Sequence, residues 1–61
     1  MLGLNALLAP GNLVVTPKHP EWGQGQVQSV IDNHITVNFE NSGKLTIDGR
    51  FVELELVDES R

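Results

Sequence analysis

Apolar and polar positions alternate through the middle of this chain in runs too short and too regular for helix. Ile35, Val37 and Phe39 are separated by Thr36 and Asn38, and Leu45 and Ile47 by Thr46. A period of two marks a strand with one face buried. Clusters of turn-forming residues, Asp32-Asn33-His34 and Asn41-Ser42-Gly43, punctuate the runs. The pattern predicts strands over residues 12–16, 26–31, 34–40 and 44–47. A last strand, alone or after a short 3₁₀ turn, falls within residues 51–57. Val14 and Val15 are β-branched, and Pro17 ends the first strand.

Register follows from which side chains must share a face. A three-residue loop at Asp32-Asn33-His34 sets Ile31 against Ile35, Ser29 against Val37 and Val27 against Phe39. A two-residue loop would set Val30 against Ile35, Gln28 against Val37 and Gln26 against Phe39, putting glutamines beside core residues, and is rejected. With Asn41-Ser42-Gly43 as the next loop, Glu40 faces Lys44, Phe39 faces Leu45 and Val37 faces Ile47. Gly43 then occupies the third loop position, where a left-handed residue is wanted. The inward set is Val27, Ile31, Ile35, Val37, Phe39, Leu45 and Ile47. Val52, Leu54 and Leu56 close it from the last strand and Val14 or Val15, Val14 by preference, from the first, while Asp48-Gly49-Arg50 makes a turn.

Trp22-Gly23-Gln24-Gly25 organises the rest. Two glycines one residue apart, behind an aromatic and ahead of a strand, let the chain turn sharply and pass close to a neighbour. Short strands, tight turns and one bent core describe a small SH3-like (Tudor-like) barrel of about five antiparallel strands. A sandwich needs more strands, and an OB-fold has longer connections. Residues 1–10 form an apolar extension, residues 11–57 the barrel and residues 58–61 a frayed tail. Leu4, Leu7 and Leu8 have helical spacing, but Pro10-Gly11 stops anything regular. That extension is read as a turn over one open end of the barrel, as a self-associating arm, or as disorder.

Composition narrows the chemistry. A chain of 61 residues buries only about 60% of its unfolded surface. With no cysteine, packing alone must supply a margin on the order of a few kcal/mol. Four basic residues, Lys18, Lys44, Arg50 and Arg61, stand scattered against eight acidic ones, for a formal charge of −4. Duplex binders cluster their cations, so a protein partner with basic surface fits better. No apolar run approaches the roughly 18 residues a membrane span needs. Residues 1–8 lack the basic start and cleavage site of a signal peptide, which fits a cytoplasmic location.

Asn12-Leu13-Val14-Val15, His19-Pro20-Glu21-Trp22-Gly23-Gln24-Gly25-Gln26-Val27, Ile35-Thr36-Val37-Asn38-Phe39 and Gly43-Lys44 together resemble a small Tudor-like family of bacterial proteins. A similar pattern closes UvrD/PcrA-type DNA helicases as their C-terminal Tudor-like domain. The fold is also similar to the RNA-polymerase-interaction domains of CarD-type regulators and of the transcription-repair coupling factor. The resemblance spans roughly residues 11–57. It implies a barrel whose relatives dock on the β subunit of RNA polymerase, partly through an exposed strand, in transcription or DNA repair.

The candidate partner-binding residues are Trp22, Lys18, Thr36, Asn38, Lys44 and Arg50. Gly23, Gly25, Val27, Val37, Phe39 and Gly43 are read as structural. Trp22 is both a lid on the barrel and a natural interface anchor. Thr36, Asn38, Glu40, Lys44 and Thr46 make up the outward face of the central hairpin, where Glu40–Lys44 reads as a solvated pair. A methyl-lysine cage needs more aromatics than Trp22, Phe39 and Phe51 offer. His34 reads as a loop residue, and His19 as a cap or packing group. Neither has a nucleophile or ligand-spaced neighbour, so no metal, cofactor or catalysis is expected. Gly23-Gln24-Gly25 precedes a strand rather than the helix that a phosphate loop requires. The leading expectation is a non-catalytic interaction module. The rivals are single-strand nucleic-acid binding through Trp22, Lys18, Lys44 and Arg50, and self-association through the leucine-rich arm.

Overall fold

The computed structural model describes residues 8–57. Within them the chain is all-β, with strands β1 (Leu13–Val15), β2 (Gly25–Ile31), β3 (His34–Phe39), β4 (Gly43–Asp48) and β5 (Glu55–Leu56), and a 3₁₀ turn at Pro20–Trp22. They form one antiparallel sheet in the order β4-β3-β2-β1-β5. β1 is the pivot: Val14 pairs with Gly25 of β2 on one side and Leu56 of β5 on the other. Val14, Val27, Ile35, Val37, Phe39, Ile47 and Leu54 are buried in a single cluster. Residues from β1, β4 and the segment before β5 meet there only if the sheet curls on itself, which makes it barrel-like. The curl leaves β4 and β5 as its two edges.

Alternation accounts for most of this core, with a correction to the β2–β3 register. The turn is two residues, Asp32-Asn33, with Ile31 opposite His34 and Val30 opposite Ile35. Asp32 adopts φ 54, a left-handed conformation that Asp tolerates better than most residues. Further along, Val27 faces Val37 and Gly25 faces Phe39, because the register shifts between Val27 and Ser29. Gln28 is the extra residue of a β-bulge. The bulge resets the phase of β2, so Val27 and Val30 both point inward and the glutamines stay outside. Rejecting a two-residue loop assumed unbroken alternation. Two consequences follow for the expected core: Ile31 is turned outward and is 65% exposed, and His34 belongs to β3 rather than to the loop.

The β3–β4 connection is also displaced by one residue from expectation. Phe39 faces Gly43, Asn38 faces Lys44, Val37 faces Leu45 and Ile35 faces Ile47. The loop is therefore Glu40-Asn41-Ser42, and Gly43 opens the strand at φ 72, the left-handed conformation expected of it. Leu45 and Ile47 remain on the inner face, since the shift relative to β3 is an even number of residues. Glu40 does not oppose Lys44. At the C-terminal end β5 is short: Leu54 is buried, Val52 is partly buried, and Leu56, expected inside, is 50% exposed. Leu8 packs against the core; residues 1–7 of the apolar extension and the tail 58–61 lie outside the described residues.

Candidate functional site

One end of the sheet is built by the Trp22-Gly23-Gln24-Gly25 segment. The Trp22 ring lies parallel to the His19 imidazole, with centroids 4.2 Å apart and planes 7° from parallel. The same ring meets Phe39 with centroids 5.1 Å apart and planes tilted by 51°, within the range of favourable aromatic contacts. His19 Nδ1 is 3.2 Å from the Glu21 carboxylate, so the imidazole packs on the tryptophan instead of capping the 3₁₀ turn. The backbone of the segment is tied to the β3–β4 loop. Asn41 N–H donates to the Trp22 carbonyl (3.1 Å), Glu40 N–H to the Gln24 carbonyl (2.9 Å), and Gln24 N–H to the Glu40 carboxylate (3.0 Å). Glu40, expected to pair with Lys44, is committed to this backbone bond instead.

The glycine spacing now has a steric cause. A Cβ on Gly23 would fall 2.6 Å from Glu40 Cγ, and its φ of 79 is left-handed as well. A Cβ on Gly25 would fall 2.5 Å from Val37 Cγ1 and 2.7 Å from Phe39 Cδ1. The first glycine admits the Glu40 clamp, and the second admits the core of β3. Trp22, half-buried against that core, is thus a lid over it.

The outer face of β2, β3 and β4 consists of three cross-strand rows. Gln26, Asn38 and Lys44 form one; Ser29, Thr36 and Thr46 the next, with the two threonine hydroxyls 3.2 Å apart; Ile31, His34 and Asp48 the last. The structure therefore brings Thr36, Asn38 and Lys44 together, as expected. Arg50 joins the far row. Its Nη2 donates to Asp48 Oδ2 at 2.8 Å, its Nε to Oδ1 at 3.1 Å and its backbone N–H to Oδ1 at 3.0 Å. Those bonds, with the guanidinium charge and a weaker attraction from His34, lower the Asp48 carboxyl to about 2. Arg50 also lies over the Phe51 ring, 5.3 Å from its centroid, and Phe51 is 78% exposed.

Sequence reasoning missed Ile31 and Phe51. No pattern signals a bulge that turns Ile31 outward, and Phe51, weighed only as a cage aromatic and as the start of the last strand, has no place in the expected binding face. The expected cation patch is dispersed. A strand rise of about 3.4 Å per residue sets Lys44 roughly 14 Å from Asp48, to which Arg50 is bound, and Lys18 sits in the loop between β1 and the 3₁₀ turn. Among the described residues, no group of three or more His, Cys, Asp or Glu is placed to hold a metal, and no helix is long and apolar enough to cross a membrane.

A family model described as "Protein of unknown function (DUF3553)" matches residues 8–57. The chain belongs to this family. The matched segment contains every strand described above, the Trp22 lid and both clamping glycines, so the DUF3553 domain coincides with the curled sheet. No curated protein and no solved structure matches the chain.

Proposed function

We propose that this DUF3553 protein is a non-catalytic, cytoplasmic interaction module that presents the outer face of β2–β4 to a protein partner. The observation that carries this reading is a pair of large exposed apolar side chains at this end of the sheet, Ile31 on the far row and Phe51 in the turn after β4. Ile31 and Phe51 are both strongly exposed; Asp48 shares the Ile31 row, and its ion-pair partner Arg50 lies over the Phe51 ring. Isolated apolar residues on a surface are ordinary; an aliphatic and an aromatic flanking a mutually neutralised ion pair make a compact anchor with polar surroundings. Thr36, Asn38 and Lys44 extend the face with hydrogen-bonding groups. The excess of acid over base favours a partner with basic surface. RNA polymerase, through its β subunit, is the partner implied by the resemblance to Tudor-like helicase and regulator domains, and with that partner the proposed role lies in transcription or repair.

The test is an NMR titration of the isotopically labelled chain with β-subunit fragments. Resonances of Ile31, His34, Asn38, Lys44 and Phe51 are expected to shift together. Ile31→Asp should abolish the shifts while the spectrum stays dispersed. Absence of shifts at high fragment concentration removes polymerase as the partner. If instead single-stranded DNA shifts the Trp22 and Lys18 signals, with affinity falling steeply as salt rises, the nucleic-acid reading replaces it.

A further inference from the structure

We propose that Asn41 is a self-modification site, at which the main-chain nitrogen of Ser42 expels the side-chain amide and so loosens the Trp22 lid from the β3–β4 loop. Asparagine is a thermolabile residue. Its conversion needs an exposed amide, a following N–H that nothing holds, and a backbone free to rotate. Asn41 and Ser42 are both exposed, in the loop between β3 and β4. The Ser42 N–H and the Asn41 side chain have no hydrogen-bond partner among the described residues. The bond from Asn41 N–H to the Trp22 carbonyl lies on the other side of the residue and leaves Ser42 free.

The other candidates among the described residues are held. Asn38 and its successor Phe39 lie inside β3, with a strand on either side. His34 after Asn33 opens β3 opposite Ile31, and the Asn33 carbonyl accepts the Gly49 N–H. Asn12 accepts the Ala9 N–H on its side chain and the Val27 N–H on its carbonyl, and Leu13 after it begins β1. Asp48-Gly49 is the least hindered aspartyl pair in the sequence, since glycine has no side chain, yet it is locked twice. The Gly49 nitrogen that would attack is bonded to the Asn33 carbonyl at 2.7 Å, and Arg50 holds both Asp48 carboxylate oxygens.

The reaction needs only water. The Ser42 nitrogen gives up its proton to solvent as its bond to Asn41 Cγ forms, the Cγ–Nδ2 bond breaks, and ammonia departs with a proton from solvent. Water then opens the succinimide ring at either carbonyl, giving aspartate or isoaspartate, with no oxidation or reduction. Either product carries a carboxylate where a neutral amide stood, and isoaspartate also adds a methylene to the main chain of the loop.

The consequence for the lid follows from Gly23. A Cβ there would lie 2.7 Å from both Asn41 Nδ2 and Glu40 Oε2, so the amide and the Glu40 carboxylate are close neighbours over this glycine. That carboxylate accepts the Gln24 N–H, and Asn41 N–H is bonded to the Trp22 carbonyl. A second carboxylate repels the first, and the added methylene alters the loop that aims the Asn41 N–H at Trp22. One conversion thus loosens both ties. The inference involves neither the Ile31–Phe51 anchor nor any partner, so it stands apart from the polymerase reading.

Incubation of the full chain at mildly alkaline pH tests it, with peptide mass mapping, enzymatic methylation of isoaspartate, and fluorescence of the single tryptophan. The expected result is conversion at Asn41 ahead of Asn12, Asn33, Asn38 and Asp48, with the Trp22 signal changing in step. Ser42→Ile sets a stiff β-branched neighbour against ring closure and should slow the conversion several-fold, while Ser42→Gly should speed it. Asn41→Asp installs the carboxylate without the extra methylene and should reproduce part of the fluorescence change in fresh protein. Circular dichroism reports whether each variant folds. Conversion at Asn33 or Asp48 while Asn41 stays intact overturns the proposal, as does a converted chain whose Trp22 fluorescence is unchanged.

Discussion

Gly25 lies directly opposite Phe39 in the β2–β3 ladder, and the volume a side chain would need there is filled by the Phe39 ring and a Val37 methyl. Both obstacles are buried core groups, so neither can swing aside. Gly25→Ala is therefore expected to destabilise the fold by about 1 to 3 kcal/mol, the range for overpacking a tight core. Gly25→Val should leave little folded protein. Urea denaturation followed by tryptophan fluorescence measures the loss, and an unchanged midpoint for Gly25→Ala would contradict the placement of Phe39.

Glu40 holds the Trp22–Gln24 segment by accepting the Gln24 N–H. Glu40→Gln keeps an oxygen acceptor and should change stability little. Glu40→Ala leaves that N–H to solvent and should cost about 1 kcal/mol. A fluorescence change at Trp22 in the alanine variant alone would locate the effect in the lid.

Trp22→Ala removes the surface that contacts His19 and Phe39 and should cost about 2 kcal/mol, less than a fully buried tryptophan because the side chain is only half-buried. Trp22→Phe should recover most of this. Thermal unfolding of both variants separates lid packing from any effect on partner binding.

Thr16 is buried, yet its hydroxyl has no hydrogen-bond partner among the described residues. Replacing a buried, unsatisfied hydroxyl by a methyl of nearly the same shape removes a desolvation cost. Thr16→Val is expected to stabilise the protein by about 1 kcal/mol in chemical denaturation. A destabilised variant would show that the hydroxyl is bonded.

Asp48 supplies a pH dependence with a defined sign. Its carboxyl is lowered from 3.8 to about 2 chiefly by hydrogen bonds from Arg50. A depressed acid contributes stability that is fully present above its ordinary pKa and disappears as pH falls through its folded value, here from roughly 4 down to 2. The pair is solvent-screened, so the effect on stability is small and the titration itself is the better readout. Carboxyl carbon shifts should place the Asp48 midpoint near 2, and Arg50→Gln should return it toward 3.8.

How much of this was legible in the linear chain can be judged residue by residue. The alternation of Ile35, Val37 and Phe39 determined an all-β fold and one of its inner faces, because period two leaves no other way to bury them together. Val14 as the inward residue of β1 and Gly43 as a left-handed residue were legible for the same local reasons. Lys44, Thr36 and Asn38 were correctly gathered on one outer face. Ile31 and Phe51 were not, and they now anchor the proposed interaction site. The difference is physical. A strand's face is a property of neighbouring residues, but its phase after a bulge is settled by contacts with the strand opposite. Gln28 drops out of the ladder because Val27 and Val30 both gain the core by it, and that gain exists only once β3 is in place. The edge position of β4 is likewise a matter of closure: it is the strand order about β1, not anything written within Gly43–Asp48, that leaves β4 at one end of the sheet among the described residues.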